Sequence, residues 1–326
     1  MGKYDDAMYR YLEDNDRFAD LFNGALFHGE ELLQGDMLES DSGRYVTAAE
    51  KPDGGPKTGN RFRDLKKRMK NGSWLAVTAI ENQEYIDYAM PVRMMEYDCL
   101  EYVGQVHRIA RDKAKKLKDE GLVPSGWNTR LSQENKLHPV YSMCLYHGTD
   151  EWNGPESLKD MMDFEDAPQG WKELFHDYGM TLFCANRIED FSVFKTELRQ
   201  LLEVIPCRKS KRKLVELFNR EEYRHLDRDT AETIAIFTDN SKMLEMLEAH
   251  ETEGEYDMCQ ALEELVADGE ARGEARGEAK GEVKGRTETL LFAIHNLMKN
   301  MKLTVEQDMD ALEVPEAERA GYMKML

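Results

Sequence analysis

The sequence predicts an α/β protein: a mixed sheet flanked by helices, with helical additions toward its C-terminal end. Three observations predict it. Residues 4–24 and 88–118 carry apolar side chains at helical spacing, whereas residues 61–69 and 74–83 are short extended runs flanking an Asn-Gly pair at 71–72. Two further apolar runs, HPVYSMCLYH at 138–147 and residues 180–184, read as buried strands, so the order along the chain is helix, strands, helix, strand. From residue 191 to about 265 the spacing turns helical again.

In chain order, residues 4–24 place Tyr4, Met8, Tyr11, Leu12, Phe18, Leu21 and Phe22 on an apolar stripe, in one helix or two short ones. The cluster KPDGGPKTGN at 51–60 is rich in breakers and predicts an exposed connection. Asn71-Gly72 is the favoured pair for a two-residue type I′ turn, which would pair Lys70 with Ser73 and set Asp64 opposite Ala79. In the 88–118 helix Met90, Met94, Tyr97, Leu100 and Val103 face inward, and the basic last turns suit the helix dipole. Gly269, Gly273, Gly277, Gly281 and Gly285 recur every four residues within a Glu/Arg/Lys-rich stretch, residues 266–286. Each glycine costs a helix about 1 kcal/mol, so a linker is expected there, with a glycine-faced helix paired to a second copy as the alternative. Thr304 with Gln307 forms a capping box, and Pro315 suits the first turn of another helix, making 287–326 a small helical hairpin.

Composition narrows the class. Across 326 residues the formal net charge is −20, which argues against coating nucleic acid through the overall field. The basic residues nevertheless gather at 61–70, 108–118 and 208–213. Five cysteines are scattered without CxxC spacing, against a disulfide framework or structural zinc, and a reduced cytoplasmic setting is expected. There is no long apolar run for a membrane and no signal-peptide pattern in the first residues. GxxxxGK[ST] and GxSxG are absent, and the histidines lack ligand spacing.

The apolar run WLAVTAI ends on Glu81-Asn82-Gln83, with Asp64 one short segment upstream. Carboxylates at the end of a buried strand are costly to desolvate, so a chain that places them there usually needs them for a cation or a proton. The two-residue turn makes Asp64 and Glu81 diagonal neighbours on one sheet face, close enough to share a divalent ion.

Asp…Glu-x-Gln on a hairpin followed by a helix resembles the active-site layout of the PD-(D/E)XK nuclease superfamily. The chain resembles more closely the Rpn family of recombination-promoting nucleases and transposases. Arg63-Asp64-Leu65-Lys66-Lys67, Ile80-Glu81-Asn82-Gln83, Tyr88-Ala89-Met90-Pro91-Val92-Arg93 with Tyr97-Asp98, and Tyr146-His147-Gly148 followed by Glu151-Trp152-Asn153-Gly154-Pro155 carry the likeness. Phe18-Ala19-Asp20-Leu21-Phe22-Asn23 and the Gly/Glu-rich tail add to it.

The resemblance implies a PD-(D/E)XK-like nuclease domain over 1–185, a helical extension over 186–265, and metal-dependent DNA cleavage. It assigns Asp64, Glu81 and Gln83 to catalysis, with Asp64 and Glu81 holding Mg²⁺ or Mn²⁺. Gln83 stands where many superfamily members carry lysine; glutamine orients water by hydrogen bonds and brings no cation. Lys66 shares Asp64's face but lies away from Glu81. Arg61, Arg63, Lys67 and Arg93 near the site, and Arg108, Arg111 and Lys115 further along, are then expected to contact DNA phosphates. Asp20 is expected at the surface, with a further carboxylate for the ion as the alternative. A homodimer is expected, because double-strand cutting with one site per chain takes two protomers. The competing expectation is a weak or inactive DNA- or protein-binding relic of a mobile element.

Overall fold

The structure is a computed structural model, and it describes residues 2–40, 46–50, 56–60, 65–80, 86–240, 242–245, 254–301 and 304–325. Two helices, α1 (Lys3–Tyr11) and α2 (Asn15–Phe27), occupy the first apolar stretch. Asp14 separates them: its carboxylate accepts from the backbone N–H groups of Asp16 and Arg17, starting α2 with an N-cap. The strands β1 (Leu38–Ser40), β2 (Val46–Glu50), β3 (Pro56–Asn60), β4 (Leu65–Met69) and β5 (Trp74–Ile80) follow. Next come the long helix α3 (Met90–Asp119), strand β6 (Val140–Tyr146), a single turn α4 (Trp171–Leu174) and strand β7 (Thr181–Cys184). Helices α5 (Leu198–Val204), α6 (Lys211–Phe218) and α7 (Arg228–Phe237) build the extension.

The main sheet has the order β1-β4-β5-β6-β7. β4 runs antiparallel to both of its neighbours, β1 and β5, while β6 and β7 run parallel to β5, with Trp74 facing Val140 and Ile80 facing Tyr146. Parallel neighbours need a crossover, and α3 supplies it. This is the mixed sheet that the sequence predicts. On the α3 side Cys144, Tyr146 and Cys184 pack with Met90 and Met94, sealed by Trp152 and Met180. Met143 and Leu145 alternate with these and are fully buried on the other face.

The 51–60 cluster is not simply a connection, because Pro56–Asn60 pairs antiparallel with Val46–Glu50. Pro56 sits at the first residue of its strand, where a missing N–H disturbs the ladder least.

The extension packs on the N-terminal helices inside one compact unit, Met1–Ala261. The Tyr11 and Thr230 hydroxyls hydrogen-bond at 2.8 Å, Tyr4 and Phe237 stack at 5.3 Å, and Arg17 donates to Asp227 at 2.6 Å. Burial pushes the Tyr11 phenol up, so it stays neutral. Asp20 lies at this seam and corrects the surface expectation. It is buried and accepts from Lys195 N–H at 2.9 Å, Thr196 N–H at 2.8 Å and the Thr196 hydroxyl at 2.6 Å. Asn23, on the same α2 motif, is also buried and exchanges two hydrogen bonds with the Leu33 backbone.

A second unit covers Leu262–Leu326. Helix α8 (Met258–Met301) runs unbroken through the glycine repeat where a linker was expected. The residues between the glycines, Glu, Ala, Arg and Lys, are good helix formers. Gly277, Gly281 and Gly285 face open space. α9 (Val305–Ala311) begins with the Thr304/Gln307 capping box, and α10 (Glu316–Met323) follows Pro315. Ile294, Met309, Val314 and Tyr322 form the core of this hairpin. Among the described residues, no helix is long and apolar enough to cross a membrane.

Candidate active site

The β4–β5 hairpin leads to the position where the sequence places its carboxylates. Its register differs from the expected one: Leu65 faces Val77 and Arg68 faces Trp74, with Met69 N–H donating to Ser73 O at 2.8 Å. Three residues, Lys70, Asn71 and Gly72, therefore form the loop instead of two. Gly72 has φ 94°, the left-handed residue that closes a three-residue hairpin, and the His138 ring packs where a Cβ would lie. The Asn71 carboxamide oxygen accepts from Ser73 N–H at 2.9 Å, so Asn-Gly fills the second and third loop places. Counting from a two-residue turn no longer sets Asp64 opposite Ala79. The pairing of Asp64 with Glu81 thus rests on the family resemblance and not on hairpin register. Asp64, Glu81, Gln83, Arg61 and Arg63 lie outside the described residues.

What is described around the carboxyl ends of β5 and β6 is a convergence of the other motifs. Asp87 ends the approach to α3, accepting from Ala89 N–H at 2.9 Å and from Arg93 at 2.6 Å. Arg93 also donates to the Tyr97 hydroxyl at 3.2 Å and keeps part of its guanidinium in solvent. Burial works against its charge, but Asp87 and Tyr97 outweigh it and hold its pKa above the ordinary value. Pro91, at the start of α3, suits a first turn whose N–H groups have no helical acceptor. Within the same α3-side cluster, Trp152 packs edge-on against Tyr146 at 5.3 Å and donates to Gly154 O at 3.0 Å. Gly154 lies so close to the Ile86 side chain that a Cβ there would sit 2.5 Å from it. Tyr88 donates to Asn153 at 3.3 Å. Segments more than sixty residues apart in sequence thus meet where the parallel strands end, the usual place for a ligand in an α/β sheet.

α3 is fixed along its length by polar contacts to the sheet. Asp98 accepts from Ser142 and, at 2.6 Å, from Tyr178, whose hydroxyl is held protonated by burial and by that carboxylate. Gln105 exchanges two hydrogen bonds with the His138 backbone, at 3.0 and 2.8 Å. Glu101 is almost completely buried and bridges Lys66 at 2.5 Å and Arg108 at 2.6 Å. The Lys66 ammonium lies 3.8 Å from the Trp74 ring centroid, and Arg68 and Arg108 approach the same ring at 5.7 and 5.6 Å.

The basic residues expected at DNA separate into two groups. Lys67 is fully buried, donating to Glu13 O at 2.6 Å and to Asn15, and burial pulls its pKa down. Its ammonium faces α2 and does not reach solvent, so the expected phosphate contact is withdrawn. Arg108, Arg111 and Lys115 are exposed on α3. They stand roughly 22 to 33 Å along the helix from Arg93, at 1.5 Å per residue. His147, quoted in the resemblance, is buried and contacts Asp5 through Nε2 at 3.0 Å, with its ring edge-on to Phe237. No signal in the sequence marked Glu101, Asp20 or Asp98 as anchors; their residue type alone reads as surface charge. Among the described residues no group of three His, Cys, Asp or Glu side chains is placed to hold a metal ion.

A family model described as "Putative transposase, YhgA-like" matches residues 67–232. No curated protein and no solved structure matches the chain.

Proposed function

This chain belongs to the YhgA-like putative transposase family, which associates it with mobile elements, and from that premise we propose that it is a Mg²⁺-dependent DNA endonuclease. The meeting of the Tyr88–Arg93 and Trp152–Gly154 motifs at the carboxyl ends of β5 and β6 carries the proposal. In the sequence this meeting directly follows the segment that holds Glu81 and Gln83.

The donor set fits the metal chemically. Asp64 and Glu81 offer carboxylate oxygens, which suit a hard cation that prefers oxygen ligands. Mg²⁺ bound there would polarise a phosphate oxygen and ease deprotonation of a water. Gln83 orients that water through its amide without adding charge. Arg93, pinned by Asp87 and Tyr97, presents a fixed positive charge to the phosphate backbone. In this reading Arg61 and Arg63, close to Asp64 in sequence, also take phosphates, and Arg108, Arg111 and Lys115 continue the backbone contacts along α3. The test is nicking of supercoiled plasmid that requires Mg²⁺ or Mn²⁺ and stops with a chelator.

The acting form in this proposal is a homodimer, one protomer per strand. Light scattering at working concentration is expected to give twice the 37.8 kDa chain mass. A monomeric mass with intact double-strand cutting contradicts it. A second reading, a DNA-binding relic without catalysis, is favoured by Gln83 standing where lysine is usual; Mg²⁺-independent binding with no nicking would select it.

A further inference from the structure

The C-terminal end of α3 and the loop after it combine a surplus of basic side chains with exposed apolar ones. Between Arg111 and Lys136 there are seven basic and four acidic side chains, against a net charge of −20 for the whole protein. In the same loop Trp127 is 79% exposed and Val123 83% exposed. An exposed indole leaves one of the largest apolar surfaces of any side chain open to a partner. The Arg130 guanidinium lies over the indole, 5.4 Å from a ring centroid.

The loop that presents this pair is built and fastened. Asn128 accepts from Ser125 N–H at 2.6 Å and donates to Val123 O at 3.1 Å, and the Thr129 hydroxyl donates to Ser125 O at 2.8 Å. The Lys113 ammonium donates to Arg130 O at 2.7 Å, tying the loop back to α3. Trp127 is therefore held outward by its own loop. With Trp127 79% exposed, most of the ring surface is open to a planar group.

We propose that this surface binds single-stranded DNA, Trp127 stacking on an unpaired base while Arg130 and the basic end of α3 take the neighbouring phosphates. An aromatic platform beside a run of cations is the chemistry that holds unpaired strands without sequence preference. Bases inside a duplex are already stacked and leave the indole nothing to cover. The choice of DNA as the polyanion rests on the endonuclease proposal above, but the binding needs neither a divalent ion nor catalysis.

The test titrates the full chain, in chelator and at low salt, with an oligothymidine of about 12 nucleotides and with a duplex of similar length. Intrinsic tryptophan fluorescence and anisotropy of a labelled strand are followed. Oligothymidine is expected to quench the fluorescence, and Trp127→Leu is expected to remove most of that quench and weaken binding about tenfold or more. Trp127→Phe keeps a stacking ring and is expected to retain most of the affinity. Duplex affinity changes less than about twofold in either variant. Because Trp127 is mostly exposed, these substitutions leave the core intact. Equal oligothymidine affinity in wild type and Trp127→Leu overturns the proposal. So does equal weakening of single strand and duplex, or binding of phosphatidylserine vesicles with no binding of oligothymidine. In any of these cases retained duplex binding leaves the endonuclease proposal standing, whereas loss of both DNA forms removes the two together.

Discussion

Asp64→Asn and Glu81→Gln are each expected to lower Mg²⁺-dependent nicking of supercoiled plasmid by about a thousandfold or more, while binding of the same DNA in chelator changes little. Each substitution keeps the size of the side chain and removes the charge that a hard cation needs, so lost rate would report lost metal and not lost fold. A thousandfold is about 4 kcal/mol of barrier, the scale of a single electrostatic contribution at a reacting phosphate. Gln83→Lys is the informative companion. If Gln83 only orients water, a lysine there supplies a cation for developing charge, and the rate is expected to hold or rise. Nicking that survives both carboxylate substitutions would place the activity elsewhere, in another site or a contaminant.

Removing Glu101 is expected to have the largest effect on stability among the described polar side chains of α3. Its carboxylate is buried between Lys66 and Arg108, and the Lys66 ammonium is itself mostly buried against Trp74. Glu101→Ala takes a buried counter-charge from a desolvated cation and is expected to cost about 3 kcal/mol or more in denaturant unfolding. Arg108 is half exposed and contributes less, because water screens it. A double variant, Glu101→Leu with Lys66→Met, removes both buried charges and is expected to recover most of the loss. A cost for Glu101→Ala no larger than about 0.5 kcal/mol, the value of an exposed helical pair, contradicts the structural role assigned to it.

Much of the sheet was legible because its strands obey simple periodicity. The apolar runs ending in β5 and β6 and the long amphipathic α3 stand where their patterns put them, within a few residues. The hairpin loop is one residue longer than Asn-Gly predicts, because the same pair also fits a three-residue loop, and the left-handed Gly72 together with the Met69–Ser73 pairing decides between them. That single residue matters, since it turns one strand's side chains to the opposite face relative to the other's, so the register lends no support to pairing Asp64 with Glu81. Lys66 and Lys67 show the same difficulty: adjacent and identical in type, one joins Glu101 and Trp74 while the other is sealed against α2. Asp20 reads as a surface acid because nothing local reveals the distant backbone and hydroxyl donors that meet it, and nothing local to Asp98 reveals Ser142 or Tyr178. The glycine repeat was expected to break a helix on propensity, yet it lies within α8.

The motifs around the candidate site were found through resemblance more than through pattern. Trp152, Gly154 and Ile86 have no mutual signature in the sequence, and their contact appears only once the chain has folded around the end of the sheet.

The most direct measurement is a crystal of the full chain soaked in Mn²⁺ and examined at the manganese absorption edge. An anomalous peak about 2.2 Å from oxygens of both Asp64 and Glu81 is the predicted result. If those two carboxylates point to opposite faces of the sheet, with no manganese between them at saturating concentration, the endonuclease assignment is wrong.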